Sequence, residues 1–176
     1  VSTDAILHLA EDAQAAGANA LLLPAVSYQP LRDEEVFSLF ETVTRHVSVP
    51  VCIYDNPGTT HFTFTDELHG RLSSLEGVRS VKIPGVPDSP AAAIERVNAL
   101  RQLLRPGVTI GISGDAYAGL GLNAGCEVWY SVCGGLFPEM AKQITEAAAA
   151  NDRQRVTALT TRLEPLWSLF RKHGGS

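Results

Sequence analysis

Short apolar segments alternate with amphipathic helical patterns along the chain, and this alternation restricts the fold more than any other feature of the sequence. The apolar segments predict five strands, at residues 20–24, 49–54, 78–83, 108–113 and 127–132. Strands separated by helices pair in parallel, and strands that are apolar almost throughout are buried on both faces. Two architectures fit this pattern: a doubly wound open sheet and part of a (β/α)8 barrel.

Polar residues at the ends of successive strands favour the barrel. Tyr54 and Lys82 end the second and third predicted strands, and Ser113-Gly114-Asp115 closes the fourth. Ser131 lies near the end of the fifth. Barrel enzymes carry their active sites at the C-terminal ends of several strands, whereas an open sheet concentrates functional residues at one crevice. We therefore predict an α/β protein with a (β/α)8 TIM-barrel fold.

The pattern divides the chain of 176 residues into two parts. Residues 1–150 contain the strands and their helices, equivalent to about the last five βα units of a barrel. Residues 151–176 are predicted as a C-terminal helical extension, with one helix from about Asp152 to Arg171. Five strands cannot close a barrel and would leave two unpaired edges. Because Val1 leads directly into a helical pattern, we expect three further βα units to precede it.

Charge and composition exclude several classes of partner. Fourteen Lys and Arg residues against nineteen Asp and Glu residues give a net charge of −5, without a basic cluster. Nucleic acid and anionic membrane surfaces are therefore poor partners, and the apolar runs are too short to cross a bilayer. The three cysteines are scattered, which predicts reduced thiols and a cytoplasmic location. The five histidines show no metal-ligand spacing, so no metal site is predicted.

Lys82 has the most informative position in the sequence. It lies between Val81 and Ile83 at the end of an apolar strand. Apolar surroundings favour the neutral amine, which is the nucleophile that forms a Schiff base with a carbonyl. The alternative is a lysine whose aliphatic stem lies along the strand end while its ammonium group reaches water.

Tyr54 occupies the equivalent position on the preceding strand, and Asp55-Asn56-Pro57-Gly58-Thr59-Thr60 follows it, in which Pro57-Gly58 alone predicts a turn. A phenol beside a forming imine can transfer protons as a general acid and base. The alternative is a tyrosine at the edge of the core whose hydroxyl bonds to backbone. Tyr54 and Lys82 are 28 residues apart, one βα unit, so the two residues favour a joint role.

With these motifs the chain resembles the dihydrodipicolinate synthase and N-acetylneuraminate lyase family of class I, Schiff-base aldolases. The motifs that carry the resemblance occur in order along nearly the whole chain: Gly17-Ala18-Asn19-Ala20, Tyr54 to Thr60, Val81-Lys82, Ser113-Gly114-Asp115 and Trp129-Tyr130-Ser131-Val132. The resemblance implies a (β/α)8 barrel that assembles as a homo-oligomer, a dimer or tetramer.

The resemblance also implies the chemistry and its residues. Lys82 would condense with pyruvate or another 2-keto acid, Tyr54 would relay protons, and an aldehyde would be the second substrate, with no cofactor. The residues expected around the substrate are Thr59, Thr60, Gly114, Asp115, Tyr130 and Ser131. The family's Gly-Thr-Thr-Gly-type loop, which binds the carboxylate of the keto acid, would precede Val1.

Four positions depart from the pattern of dihydrodipicolinate synthases. Thr59 stands where those enzymes usually carry an arginine for the carboxylate of the second substrate, and Asp55 stands for a common asparagine. Ile83-Pro84-Gly85 replaces a more polar sequence after the lysine, and Tyr130 replaces a small aliphatic residue. These changes surround the second-substrate pocket, so they argue against lysine biosynthesis and leave Schiff-base chemistry in place.

Other functions remain open at this point. They include dihydrodipicolinate synthase proper, a dehydratase or hydratase that uses the same imine, and a non-catalytic relative that binds a keto acid. Gly134-Gly135 permits a phosphate site, although a tight turn is the stronger interpretation. For Asp115 the default expectation is an N-cap of the following helix.

Overall fold

The computed structural model describes residues 2–174, in which strands and helices alternate. The strands are β1 (Leu21–Pro24), β2 (Val51–Tyr54), β3 (Val78–Ile83), β4 (Thr109–Ile112) and β5 (Val128–Trp129). The helices are α1 (Thr3–Ala15), α2 (Asp33–His46), α3 (Pro57–Thr60), α4 (Asp66–Ser73), α5 (Pro90–Leu103), α6 (Ala118–Ala124), α7 (Pro138–Ala149), α8 (Arg153–Thr161) and α9 (Glu164–His173). Short 3-10 turns cover Asp115–Tyr117 and Cys133–Gly135.

The strands form one five-stranded sheet in the order β1-β2-β3-β4-β5. The pairs β1–β2, β2–β3 and β4–β5 are parallel. In the β2–β3 register Tyr54 lies opposite Lys82. Since parallel strands end at the same edge of a sheet, this register brings the two predicted catalytic residues side by side.

Local sequence signals explain where several helices begin. The Ser2 hydroxyl accepts a hydrogen bond from the backbone N–H of Ala5 at the start of α1, and Thr65 accepts one from Leu68 at the start of α4. Such side-chain caps satisfy backbone donors that have no partner within the helix. Gly17 follows α1 with φ at 91°, a left-handed conformation that glycine adopts without strain.

The chain divides into two compact units. The first runs up to Ile83 and includes Ala99–Thr109, and the second comprises Pro84–Asn98 and the chain from Ile110 onwards. The first unit has a core of fully buried side chains from β2, β3, α2 and α4: Val36, Phe40, Val43, Ile53, Leu68, Leu72 and Val81. The second contains a buried cluster of Ile144, Ala147, Val156 and Leu159 on α7 and α8.

Three elements differ from their predicted form. The helix predicted from Asp152 to Arg171 is two helices, because Pro165 in the first turn of α9 cannot continue a helix from the preceding residues. Pro57-Gly58, interpreted as a turn, lies within the one-turn helix α3. The strand predicted at 127–132 is limited to Val128–Trp129.

Candidate active site

The ammonium group of Lys82 lies against the ring of Tyr54 at the ends of two neighbouring strands. Lys82 Nζ is 4.4 Å from the centroid of the Tyr54 ring, the geometry of a cation–π contact. Both residues are partly buried, between the apolar core and the edge of the sheet. The structure therefore brings together the two residues that the sequence predicts as the nucleophile and the proton relay.

Asn56 orients the hydroxyl of Tyr54. The Asn56 Nδ2 donates a hydrogen bond of 2.9 Å to the Tyr54 hydroxyl oxygen. Because the phenol accepts this bond through a lone pair, its own proton remains available for donation to another group. Asn56 immediately precedes α3, so the turn into this short helix holds the amide beside the phenol.

Asp55 links the two strand ends and has a buried carboxylate. Its backbone N–H donates to the carbonyl oxygen of Lys82 at 3.1 Å, one residue beyond the Tyr54–Lys82 register pair. Its Oδ2 lies 3.5 Å from Nε2 of His69 on α4. No sequence pattern indicated His69, because α4 brings it to Asp55 only in the folded chain.

Thr59 and Thr60, both predicted to bind substrate, differ in their surroundings. Thr60 is 4% exposed, and its hydroxyl donates to the carbonyl oxygen of Asn56 at 3.0 Å. This bond supports the turn of α3. Thr59 is exposed and contributes its backbone N–H to the same carbonyl oxygen. Thr59 therefore presents its side chain to solvent, whereas the Thr60 hydroxyl is used within the protein.

In the second unit the Asp115 carboxylate organises the loop after β5. Its Oδ1 accepts from Trp129 Nε1 and from the Ser131 hydroxyl, each at 3.0 Å, and from the Val132 N–H at 3.3 Å. Its Oδ2 accepts from the Cys133 N–H at 2.8 Å. The default expectation that Asp115 caps its own helix is wrong, because no side-chain cap bond is made there. Val132, the last residue of the strand predicted at 127–132, directs its N–H to Asp115 and not to a neighbouring strand.

Ser131 closes the same loop. Its oxygen accepts from the Gly134 N–H at 2.7 Å, and Gly134-Gly135 form part of a 3-10 turn. The tight-turn interpretation of these glycines is confirmed.

Burial is the largest effect on the thiol of Cys133, and it raises the pKa of this group. The hydrogen bond with Ser131 lowers the pKa by a smaller amount, and the negative charge of Asp115 raises it further. The thiol is therefore protonated at neutral pH and is a poor nucleophile.

Two glycines allow close packing at Tyr130 and at Gly114 itself, which are both predicted to lie around the substrate. A Cβ at Gly111 would lie 2.3 Å from the Tyr130 ring, so this side chain lies directly over the glycine. A Cβ at Gly114 would lie 2.6 Å from the carbonyl oxygen of Pro84, to which Gly114 donates its N–H at 2.8 Å. Gly114 thus lets the loops after β3 and β4 approach each other, and Gly111 makes room for Tyr130.

No helix within residues 2–174 is both long and apolar enough to cross a membrane. No group of three or more His, Cys, Asp or Glu side chains in the same range is placed to hold a metal ion.

Comparison with known protein families identifies relatives of this chain. The sequence profile of the dihydrodipicolinate synthetase family matches residues 1–174. The chain belongs to this family. A 4-hydroxy-tetrahydrodipicolinate synthase from Bartonella bacilliformis is 32% identical over 169 residues, which are 94% of this chain and 54% of the relative. The chain therefore spans about half the length of the curated relatives it matches.

Solved structures of the dihydrodipicolinate synthetase family agree with the fold. A crystal structure of dihydrodipicolinate synthase from Agrobacterium tumefaciens superposes with a TM-score of 0.93 and 41% identity, covering 98% of this chain and 58% of that one. A putative dihydrodipicolinate synthetase from Pseudomonas aeruginosa gives a TM-score of 0.87 at 28% identity, with the same coverage. These matches and the parallel sheet confirm the predicted α/β class and family.

Proposed function

We propose that this chain carries the imine-forming part of a class I lyase or aldolase, in which Lys82 forms a Schiff base with pyruvate or another 2-keto acid. The observation that carries the proposal is the position of Lys82 Nζ, 4.4 Å from the Tyr54 ring centroid at the ends of adjacent strands. Membership of the dihydrodipicolinate synthetase family supports it. The amine itself activates the substrate, so the proposal requires no cofactor.

The proposed reaction begins when the Lys82 ammonium group loses a proton to solvent and the neutral amine attacks the ketone carbon of the keto acid. The carbinolamine that forms loses its hydroxyl as water when Tyr54 donates a proton to it, and the nitrogen lone pair forms the C=N bond of the imine. The Tyr54 phenolate left by this donation accepts a proton from the adjacent carbon, which gives an enamine. The enamine attacks an aldehyde carbonyl, Tyr54 returns the proton to the alkoxide that forms, and the reverse sequence cleaves the C–C bond. The Asn56 amide keeps the phenol oriented throughout.

Trapping with borohydride tests the proposal in the full-length protein. Incubation with pyruvate and borohydride, followed by peptide mass spectrometry, is expected to show a reduced adduct on Lys82. Lys142, an exposed lysine on α7, is the internal control and is expected to stay unmodified. Absence of an adduct, or an adduct that persists in Lys82→Ala, would contradict the imine mechanism.

Thr59 is proposed to set the preference for the second substrate. The wild type is expected to use aspartate semialdehyde poorly, because the exposed Thr59 side chain lacks the two-pronged guanidinium that binds a carboxylate. In Thr59→Arg one charge-assisted hydrogen bond adds about 1.5–3 kcal/mol, which is roughly 10- to 100-fold in kcat/KM for this aldehyde. A coupled assay with pyruvate and aspartate semialdehyde measures the change.

The matched control is Thr59→Gln, which has a long polar side chain without charge and is expected to leave kcat/KM for this aldehyde close to that of the wild type. Efficient turnover of aspartate semialdehyde by the wild type would instead favour dihydrodipicolinate synthase proper. The aldehyde partner, assembly as a dimer or tetramer, and cytoplasmic location stay predictions.

A further inference from the structure

Asp55 lies between the residues that the proposed function uses. It follows Tyr54, precedes Asn56, and donates its backbone N–H to the carbonyl oxygen of Lys82 at 3.1 Å. Asp55 and Asn56 follow the last residue of β2, and their side chains contact different groups: Asn56 reaches the Tyr54 hydroxyl, whereas the Asp55 carboxylate contacts His69 on α4.

The contact between Asp55 and His69 is buried. Asp55 is 7% exposed and His69 is 0% exposed, and their side-chain atoms Oδ2 and Nε2 are 3.5 Å apart. At this distance the contact is electrostatic rather than a short hydrogen bond. A carboxylate removed from water destabilises the fold unless nearby groups compensate it. His69 supplies such a group on the side of Asp55 that faces α4.

Packing fixes the imidazole of His69. The ring stacks on Phe64, with centroids 5.1 Å apart and planes inclined by 9°. Phe64 in turn makes edge contacts with Phe62 at 4.9 Å and Phe40 at 6.3 Å. The His69 ring can move only if this aromatic cluster moves, so it offers Asp55 a partner in a constant position.

The geometry points to His69 as a positioning residue that acts through Asp55 to hold Tyr54 and Asn56 beside Lys82. This inference rests on the proposed function, because positioning matters only if Tyr54 acts on a substrate bound at Lys82. His69 contacts Asp55 and the aromatic cluster, and it takes no part in the chemical steps. A displacement of about 1 Å in a catalytic group can lower the rate about 100-fold.

Nuclear magnetic resonance provides a first test that needs no substrate. Reductive ¹³C-methylation labels the lysines, and the methyl signals of Lys82 are expected upfield because Nζ lies over the Tyr54 ring. Lys82→Arg identifies this signal by removing it, and the exposed Lys142 serves as a reference. In His69→Leu the Lys82 signal is expected to move towards that of Lys142, because the Tyr54 ring loses its fixed position.

Turnover per titrated site is the second test. Borohydride trapping with pyruvate counts the sites that are folded and competent to form the imine, so kcat divided by this count is insensitive to partial unfolding. His69→Leu is expected to lower kcat per site about 10- to 100-fold. Asp55→Ala is expected to do the same, and this variant tests the contact independently if the leucine variant fails to fold. The double variant is expected to lose no more than Asp55→Ala alone.

Arg71→Gln is the matched control. Arg71 also lies on α4 and pairs with Glu34 through bonds of 2.8 and 2.9 Å, but this pair is at the surface. Arg71→Gln is expected to keep wild-type turnover per site. An equal loss in Arg71→Gln, additive losses in the double variant, or unchanged values in both single variants would overturn the inference. Failure of the wild type to form an adduct would reject the proposed function instead, and the Lys82 methyl signal would still decide the role of His69.

Discussion

Replacement of Lys82 by either alanine or arginine is expected to abolish turnover of the full-length protein. Removal of a covalent nucleophile costs on the order of 10⁶-fold in kcat. Arginine is the more informative substitution, because it removes the nucleophile but keeps a cation at the end of β3 beside the Tyr54 ring. Its guanidinium stays protonated and is not a nucleophile at neutral pH. Steady-state assays with pyruvate and an aldehyde measure the loss.

The arginine variant also separates catalysis from binding. If the chain only bound a keto acid, a cation at position 82 would suffice, and Lys82→Arg would behave like the wild type in every assay. An imine mechanism predicts that Lys82→Arg is as inactive as Lys82→Ala. Lys142→Arg, a change of an exposed lysine, is the control and is expected to keep full activity. Turnover by Lys82→Arg within tenfold of the wild type would contradict the role of Lys82.

The parallel α/β arrangement was predictable because its signals are local. Apolar runs bounded by glycine and proline mark the strands, and the predicted third strand at 78–83 matches β3 (Val78–Ile83). The single helix predicted from Asp152 to Arg171 was wrong, because the apolar periodicity of this segment continues across Pro165. The ring of Pro165 and its missing N–H separate α8 from α9.

The two candidate catalytic residues were predictable for a topological reason. Tyr54 is the last residue of β2 and Lys82 the penultimate residue of β3, and consecutive strands with a helical connection lie side by side in a parallel sheet. Side-chain partners from different elements were not predictable in this way. His69 meets Asp55 through the packing of α4, and Asp115 binds the N–H groups of Val132 and Cys133 in the loop after β5. No periodicity records such contacts.

Tyr54→Phe is expected to lower kcat about 10²- to 10⁴-fold, the usual contribution of a positioned proton donor. Phenylalanine keeps the aromatic ring against Lys82 Nζ, so the packing at the strand ends is preserved. The substitution removes the hydroxyl that accepts from Asn56 Nδ2 at 2.9 Å. The rate of imine formation, followed by borohydride quenching at successive times, is expected to fall, while the final extent of the adduct stays at the wild-type level.

Asn56→Ala provides the companion to this variant, since it removes only the amide that orients the phenol. A proton relay predicts a smaller loss for Asn56→Ala than for Tyr54→Phe, because the hydroxyl is still present but less well directed. A tyrosine that only packs against Lys82 predicts the reverse: Tyr54→Phe would be nearly silent because the ring is retained. Near-native turnover in Tyr54→Phe would therefore assign Tyr54 to packing, and water would have to supply the proton for carbinolamine breakdown.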